Sequence, residues 1–533
     1  MIESLDDEEI EDVDEIQVIE LPPENVDNIS DEENLDEDEL RPQNISSMPD
    51  TAGELEIHLH GHELNEPTPT RHRKYQWEKG NDKPSCGLEN TARDNTNDIQ
   101  SLHDILGEMN PYEIFEFLST GLAEKVSEET LLYSRQKNDE KFQCSKSDIQ
   151  NFLGILYLSG HRQYPREENY WSTNENFECS LVRNTMSKNR YKSIKKYLHF
   201  NDNSCIPQNC TDRCYKIKPI YDICNSNFQQ FGYFSNVYSV DEKIIEYYGR
   251  HPLKQFIRGK PIRFGLKEWA ICNTNGYTFS ASIYQGKHAT DLEEKYREWN
   301  LGARVVLSLS HELPQASELY FDNFFTDVRL IEELSRKKLI ATGTVRINRL
   351  SNCPLSPKKV MMKKDRGYTE TALEKHSGVL AVSWKDNSAV TILSNKYGND
   401  CHKKVKRRMK GKFEEVKMPD VIKKYNEGML GVDLADWKVQ KYRISIRAKK
   451  WYFCAFTHCL DVIMVNAHEL YKMVTTDEKK LDLLEFRCVI TSCLLRERSR
   501  PIPSSLSVSG NRLPKAARLI GDHVIQRTDG KWG

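Results

Sequence analysis

Apolar residues follow two different spacings along this chain. Between residues 105 and 122 they recur every three or four positions, which predicts helices, and Pro111 stands where a second helix would begin. From about residue 235 the spacing falls to two, which predicts β-strands. Asn275 and Gly276 interrupt one such run, and because both tolerate positive φ they predict a tight hairpin turn.

The pattern after this hairpin alternates between strand and helix. The segment SELYFDNFF predicts a strand, TDVRLIEELSRKK a helix and LIATGTV a further strand. Residues 349–420 break this rhythm with a Lys-rich stretch, and helical spacing resumes at Pro419. The pattern therefore predicts an α/β fold with a mixed sheet, into which residues 349–420 are inserted.

Charge is distributed unevenly along the 533 residues, although the formal net charge is only −4. Residues 1–50 contain 20 acidic residues and one basic residue, Arg41, which leaves 60 acidic and 75 basic residues, a net charge of +15, in the rest of the chain. A leader that is so acidic and so poor in aromatic residues is predicted to be disordered. The basic body favours a polyanion as its partner.

The sequence has the features of neither a membrane-spanning nor a secreted protein. No run approaches the ~18–20 apolar residues of a membrane span, and the acidic N-terminus is unlike a signal peptide, so we expect an intracellular protein that does not enter a membrane. The 14 cysteines include no CxxC pair. Four cysteines lie close together in the sequence: Cys205, Cys210, Cys214 and Cys224. They are either ordinary thiols or ligands of a metal site.

Four aspartates are the candidates for chemistry. Asp241 and Asp322 each end an apolar, β-prone run, and central parallel strands would bring them to the same edge of the sheet. Asp433 and Asp436 lie three positions apart on a predicted helix and hence on one face of it. Converging carboxylates suit two hard cations, Mg²⁺ or Mn²⁺, and phosphoryl transfer, whereas helix caps, salt bridges or a solvated surface could explain any one of these acids alone.

Several segments carry a family resemblance. The segments VDEKIIEYYGRHPLKQFIRGKPIRFGLKEW, YFDNFFT and YNEGMLGVDLADWKVQKYR, in this order, closely resemble the motif series of piggyBac-type transposases and their transposable-element-derived relatives. Upstream, FLGILYLSG, YWST, MSKNRY and YLHFNDN resemble the leading helical region of that family. The match covers roughly residues 105–500, and several independent motifs make a chance match improbable.

The resemblance implies both a fold and a chemistry. It implies a ribonuclease-H-like mixed-sheet catalytic core with an insertion domain, flanked by helical segments for dimerisation and DNA binding. It places Asp241, Asp322 and Asp433 on the three catalytic aspartates of the family, and Asp436 on a further acid beside them. The implied activity is cut-and-paste cleavage and strand transfer of double-stranded DNA at TTAA sites, with two Mg²⁺ or Mn²⁺ ions per active site, by a homodimer in the nucleus.

The pattern, the composition and the resemblance together predict an organisation in six parts. From the N-terminus we expect a disordered acidic leader over 1–100, a helical dimerisation and DNA-binding region over 101–234, the first part of the catalytic core over 235–348, the insertion domain over 349–420, the second part of the core over 421–475, and a C-terminal helical segment and tail over 476–533.

Basic residues near the aspartates are interpreted as phosphate contacts, with a solvated surface as the alternative. They comprise Arg250, Lys254, Arg258, Lys260, Arg263 and Lys267 after the first aspartate, and Arg443, Arg447, Lys449 and Lys450 after the third. A further run predicts a nuclear import signal or a phosphate-binding loop, and consists of Lys403, Lys404, Lys406, Arg407, Arg408, Lys410 and Lys412. Three tryptophans could stack on bases or anchor the core: Trp269, Trp437 and Trp451.

The sequence departs from the family at its end. Many family members carry a Cys/His-rich zinc module there, but no cysteine follows Cys493 in this sequence. Three interpretations stay open: a truncated copy, recognition of DNA ends by the remaining basic surfaces, or a host protein that binds DNA or chromatin and no longer transposes.

Overall fold

The structure is a computed structural model, and it describes residues 75–88, 90–208, 210, 212–256, 262, 264–286, 296, 298–400, 403–409, 412–476 and 480–495. It also describes two short antiparallel pairs, Ile16–Glu20 with Leu55–Leu59 and Arg527–Thr528 with Lys531–Trp532. Arg258, Lys260, Arg263 and Lys410 lie outside the described residues.

Helices dominate the first part of the described chain. Asn110 caps a helix that begins at Pro111, as predicted, because the Asn110 side chain accepts hydrogen bonds from two backbone N–H groups while the Glu113 carboxylate accepts one from the Asn110 N–H. The helices are α1 (Thr96–Leu106), α2 (Pro111–Leu118), α3 (Leu122–Gln136), α4 (Lys146–His161), α5 (Ser180–Thr185), α6 (Lys188–Tyr197) and α7 (Lys218–Gln229).

A ten-stranded mixed sheet forms the centre of the molecule, which confirms the predicted α/β class. Its strands are β1 (Trp77–Lys79), β2 (Val237–Glu246), β3 (Lys254–Phe256), β4 (Phe264–Asn273), β5 (Thr278–Ile283), β6 (Glu318–Phe321), β7 (Ile340–Thr344), β8 (Thr369–Glu374), β9 (Leu380–Lys385) and β10 (Ala389–Ser394). The spatial order is β1-β8-β9-β10-β7-β6-β2-β4-β3, with β5 also paired to β4. Only the β2–β6 and β6–β7 pairs are parallel among these strands.

The strands between residues 349 and 420 contribute to this same sheet. β8, β9 and β10 form a meander whose last strand pairs with β7, and β1, which lies in the stretch predicted to be disordered, pairs with β8 at the sheet edge. The Lys-rich run is not the predicted loop, because it forms β11 (Lys403–Met409), paired in register with β12 (Lys412–Met418). The short helices α8 (Leu301–Leu309), α9 (Val328–Arg336) and α10 (Lys358–Met361) connect strands.

The helical spacing that resumes at Pro419 corresponds to several helices in the structure. These are α11 (Asp420–Gly428) and α12 (Gly431–Lys441), and α13 (Trp451–Val474) and α14 (Leu483–Leu495) follow. Twenty of the 24 residues of α13 are buried, so this helix is the central one of the helical side. A buried ion pair joins it to α14, with Asp461 Oδ1 3.0 Å from Arg487 Nη1.

None of the helices in the described part of the chain is long and apolar enough to cross a bilayer.

His251 offers a test of how the core holds a titratable group. Its buried ring stacks on Trp451, with centroids 3.9 Å apart, and Nδ1 accepts the Leu253 N–H at 3.2 Å. Burial, with the charges of Arg213 and Lys216, lowers the pKa of His251 to about 3. The folded state therefore holds a neutral imidazole. The contribution of His251 to folding stability is fully present above the unfolded pKa of about 6.5 and is lost as the pH falls towards 3.

The burial of His251 should lower the free energy of unfolding by about 2 kcal/mol between pH 7 and pH 5. Urea unfolding of the wild type at both pH values measures the total change, and His251→Gln should reduce it by this amount. His376→Gln, at an exposed histidine, is the matched control and should not reproduce this reduction. An equal pH dependence in all three proteins would contradict the buried neutral state.

Candidate active site

Two of the predicted aspartates lie side by side at the centre of the sheet. β2 and β6 run in parallel, and their register pairs Val240 with Phe321. Asp241 directly follows Val240, and Asp322 directly follows Phe321, so the register brings the two aspartates to the same level of the sheet. β6 ends at Phe321, whereas β2 continues to Glu246 against β4. Asp241 therefore lies within its strand, at the point where the parallel pairing stops.

The surroundings of Asp322 disfavour its charged form. Burial raises the pKa of Asp322 to about 6, and the carboxylate of Glu242 acts in the same direction. The Phe324 N–H donates to Asp322 Oδ1 at 2.9 Å and Lys267 contributes a positive charge, and both oppose this rise. Lys267 is itself buried, with Nζ 4.2 Å from the ring centroid of Trp269. The two adjacent acids thus form a position where a cation would be stabilised.

Helix α11 places a tyrosine against this pair. Burial raises the pKa of Tyr425 and a hydrogen bond with Thr344 opposes the rise, while the charges of Asp322 and Asp241 add to it. The helix ends directly on β6, because a Cβ at Gly428 would lie 2.3 Å from the ring of Tyr320. Glycine at this position lets α11 approach the strand that leads to Asp322.

Helix α12 is attached to β2 two residues before Asp241. A Cβ at Gly431 would lie 2.4 Å from the Asn273 carbonyl oxygen and 2.7 Å from Ser239 Oγ, so only glycine fits without displacement of the helix. The Val432 N–H donates to Ser239 Oγ at 3.1 Å. This contact sets the start of the helix that carries the other two candidate aspartates.

The two sides of α12 face different parts of the sheet. Lys438 Nζ donates to the Asn275 carbonyl oxygen in the β4–β5 turn at 2.6 Å. Position 436 is rotated by about 200° from position 438 around the helix, so Asp436 points away from that turn. Its charge acts on the buried Lys243 of β2. Asp433 is exposed on the same side of α12 as Asp436.

The four aspartates do not form a closed metal cage. In the described ranges, no three His, Cys, Asp or Glu side chains converge closely enough to hold a metal ion, which applies equally to the cysteine group of residues 205–224. The chemistry of the donor set nevertheless fits a hard cation, because carboxylate oxygens are the ligands that Mg²⁺ and Mn²⁺ prefer. Asp241 and Asp322 offer adjacent positions on the sheet, and Asp433 and Asp436 offer positions on α12.

Comparison with known proteins shows the family. A family model described as Transposase IS4 matches residues 110–468. Human piggyBac transposable element-derived protein 3 is 35% identical over 401 residues, which cover 73% of this chain and 66% of that protein, just under two thirds of its length. Human piggyBac transposable element-derived protein 2 is 31% identical over 460 residues, which cover 85% and 75% respectively. This chain belongs to the piggyBac-type transposase family.

A solved piggyBac-type structure shows the same fold. The cryo-EM structure of the piggyBac transposase synaptic complex with hairpin DNA matches with a TM-score of 0.58 and 20% sequence identity, over 84% of this chain and 90% of that one. The ribonuclease-H-like mixed-sheet core predicted for this chain is therefore confirmed.

The basic residues predicted to contact DNA occupy different environments in this piggyBac-type chain. Arg250 is exposed, whereas Lys267 is buried beside Asp322. Arg443 pairs with Glu246 at 3.0 Å. Lys450 Nζ donates to the carbonyl oxygen of Lys196 in α6 at 2.8 Å and to that of Leu198, directly after the helix, at 2.9 Å. The partly buried members of the set are Lys254, Arg443, Arg447, Lys449 and Lys450.

The three tryptophans also separate by exposure. Trp269 and Trp451 are buried in the core, as the alternative interpretation expected, whereas Trp437 on α12 is 60% exposed. Trp437 lies four positions after Asp433 and is thus on the same side of the helix.

Sequence reasoning missed a buried polar group beneath the site. Glu268 of β4 accepts a hydrogen bond from Tyr221 at 2.6 Å and lies 2.9 Å from Lys243 Nζ and 3.2 Å from His458 Nε2. An acid within an apolar strand was the signal used for Asp241, and the same signal marks Glu268. Tyr425 was also not singled out as a site residue, although it is the first residue of the motif YNEGMLGVD.

Gly431→Ala tests whether close approach positions α12. The added methyl must displace either the helix or β4, so we expect a loss of about 1–3 kcal/mol in the free energy of unfolding and faster amide hydrogen exchange along α12. Leu430→Ala, at a neighbour that is 59% exposed, is the control and should change stability by less than about 0.5 kcal/mol. Unchanged exchange in Gly431→Ala would contradict the tight contact.

Proposed function

We propose that this chain is a metal-dependent DNA transposase of the piggyBac type, in which Asp241, Asp322 and Asp433 are the catalytic aspartates. The parallel register of β2 and β6 carries this proposal, because it brings two acids from distant parts of the sequence to adjacent positions. α12 supplies the third acid from a helix attached to the same strand. The motif resemblance and the family relationship support these assignments.

The metal ligands in this proposal are Asp241, Asp322, Asp433 and Asp436. Two Mg²⁺ or Mn²⁺ ions, when bound there, would activate the attacking oxygen and stabilise the leaving oxygen of a phosphoryl transfer. Since Asp433 is exposed, we infer that the α12 carboxylates complete the site when ions and DNA are present. The Phe324 N–H donates the hydrogen bond that holds the Asp322 carboxylate in place.

Basic groups of the chain would hold the DNA over this site. Lys267 lies beside Asp322, where its ammonium can neutralise a phosphate oxygen, and the exposed Arg250 extends the positive surface. In the proposed reaction, water cleaves one strand at each transposon end, and the freed 3′-hydroxyl attacks the opposite strand, which forms a hairpin and releases the flanking DNA. Water then hydrolyses the hairpin, and the restored 3′-hydroxyl attacks a TTAA target and displaces a 3′-oxygen of the target strand. The related synaptic complex contains hairpin DNA, which supports a hairpin stage. We propose that the active form is a nuclear homodimer.

A host protein that binds DNA or chromatin without transposing is the second candidate. The matched human proteins are named as transposable element-derived, which favours it. In that case the same fold would serve as a binding scaffold, and the absence of cleavage would distinguish the two.

A cleavage assay separates these functions. The DNA is a supercoiled plasmid that carries the genomic flanks of this coding region joined to TTAA, with Mg²⁺ or Mn²⁺ added. We expect nicked and hairpin-ended products from the wild type, and a loss of about 1,000-fold in rate for Asp241→Asn, Asp322→Asn and Asp433→Asn, since each removes several kcal/mol of transition-state stabilisation.

Asp365→Asn is the matched control for this assay, because it removes one exposed carboxylate elsewhere. It should cleave at the wild-type rate. If the wild type shifts this DNA in a gel but makes no more product than the three aspartate variants, the chain is the binding protein and not the enzyme.

The acidic leader should weaken binding to DNA of any sequence. Deletion of residues 1–70 removes the acidic block from a basic body, so affinity for a random duplex should rise by about tenfold at low salt and by less at high salt. A control that replaces Asp and Glu of residues 31–39 with Asn and Gln should produce part of this rise. Unchanged affinity in both variants would leave the leader without a role in DNA binding.

A further inference from the structure

An exposed basic surface of the insertion region is formed by a two-stranded ribbon. We define the basic ribbon as β11 with β12, and its register pairs Lys404 with Lys417, Lys406 with Glu415 and Arg408 with Phe413. All six of these side chains are exposed. Because side chains alternate between the two faces of a strand, the six share the outer face.

The outer face has a large excess of positive charge. Lys404 Nζ lies 3.1 Å from Glu415, which is the only acid on this face of the described ribbon. Lys406, Arg408 and Lys417 make no ion pair with any other described residue. Spacing along β11 is ~7 Å between successive outward residues, close to two base-pair rises of 3.4 Å.

An aromatic ring stands beside these charges. Phe413 is 74% exposed, the highest value among the large apolar side chains of the described chain, and it faces outwards opposite Arg408. A solvated loop gains nothing from such a ring, whereas a surface that contacts bases does.

The inner face holds the ribbon in a fixed position. Val416 and Met418 are buried against Trp384, whose Nε1 donates to the Lys417 carbonyl oxygen at 3.0 Å. Arg407 Nε lies 3.0 Å from Asp386 Oδ2. The ribbon is therefore folded onto the sheet, and its charges keep fixed spacings.

The ribbon is connected to the candidate active site by a single short helix. β12 ends at Met418, and after Pro419 the chain enters α11, which carries Tyr425 against Asp241 and Asp322. DNA bound along the ribbon would thus be held by an element directly attached to the catalytic side of the sheet.

From these observations we propose that the outer face of the basic ribbon binds duplex DNA, with the ribbon in the major groove and Phe413 against base edges. The major groove is ~12 Å wide and admits a two-stranded ribbon. This inference rests on the proposed function for the choice of DNA as partner, but it concerns a surface separate from the four aspartates. The same residues would be less available as a nuclear import signal, because the backbone of β11 is bonded to β12.

The test is equilibrium binding of the full chain to a labelled 30-base-pair duplex, measured by fluorescence anisotropy over a series of salt concentrations. The triple variant Lys404→Gln, Lys406→Gln, Arg408→Gln should lower affinity by about 10- to 100-fold near physiological salt and reduce the slope of log K against log salt by about 2 to 3. Phe413→Ser should lower affinity by about tenfold with the slope unchanged, since it removes an apolar contact with base edges and no charge.

The matched control removes the same charge from another surface of the insertion region: Lys358→Gln, Lys359→Gln, Lys363→Gln, all at exposed positions. It should bind nearly as tightly as the wild type. Equal losses in the two triple variants would show that net charge alone matters and would overturn the proposal. Thermal unfolding of each variant verifies that the fold is retained.

Two further outcomes would assign the ribbon to another partner and overturn the proposal. If the ribbon substitutions change affinity only when residues 1–70 are present, the ribbon holds the acidic leader. If they leave affinity unchanged but abolish nuclear accumulation of the full chain, the ribbon is an import signal. Cleavage is read separately, so an inactive chain whose ribbon binds DNA contradicts only the proposed function.

Discussion

The parallel pairing of β2 with β6 is the constraint on which the site depends. It brings Asp241 and Asp322 to neighbouring positions at the centre of a sheet, where burial and the nearby carboxylate of Glu242 disfavour the charged form of Asp322. Such a pair is retained at a cost in stability, and its surroundings show how the cost is limited. The Phe324 N–H bonds one carboxylate, and Lys267 places a buried positive charge beside it. A hard cation would complete this compensation.

Two glycines bring the remaining machinery to this pair. Gly428 and Gly431 contact Tyr320 and the β2–β4 strands so closely that a side chain at either position would collide. Helices packed on a sheet through ordinary side chains stay farther away, so these glycines determine how near Tyr425 and Asp433 can come. The break between α11 and α12 follows from the same contacts, since each helix is directed onto a different strand.

Acidic and basic residues are concentrated in different parts of the chain. Acidic residues dominate the leader, a few acids gather at the sheet centre, and positive charge is spread over surfaces that include the basic ribbon. Beneath the site, Glu268 is matched by Lys243 and His458 in a fully buried group. That group satisfies its charges internally, in contrast to Asp241 and Asp322, and so is suited to support the sheet rather than to bind ligands.

The sequence by itself determined the kinds and order of the elements, because apolar spacing reports directly on helix and strand. Pro111, the Asn275-Gly276 turn and most of the strands and helices from β2 to β7 were predicted, and so was the mixed sheet, whereas the short strand β3 was not. The apolar setting of Asp241 and Asp322 also identified the candidate site. These features depend on residues close in sequence, and the motif resemblance named the core to which they belong.

Only the tertiary structure decided which residues meet. The register of β2 with β6, the burial of Lys267, the position of Tyr425 and the fold of the Lys-rich run into β11 and β12 all depend on contacts between distant segments. Local pattern carries no information about such contacts: a lysine-rich run has the same composition as a loop or as a strand. In the structure, Val416, Met418 and Trp384 bury one face of the ribbon and leave the other exposed, and this burial decides which side chains point outwards.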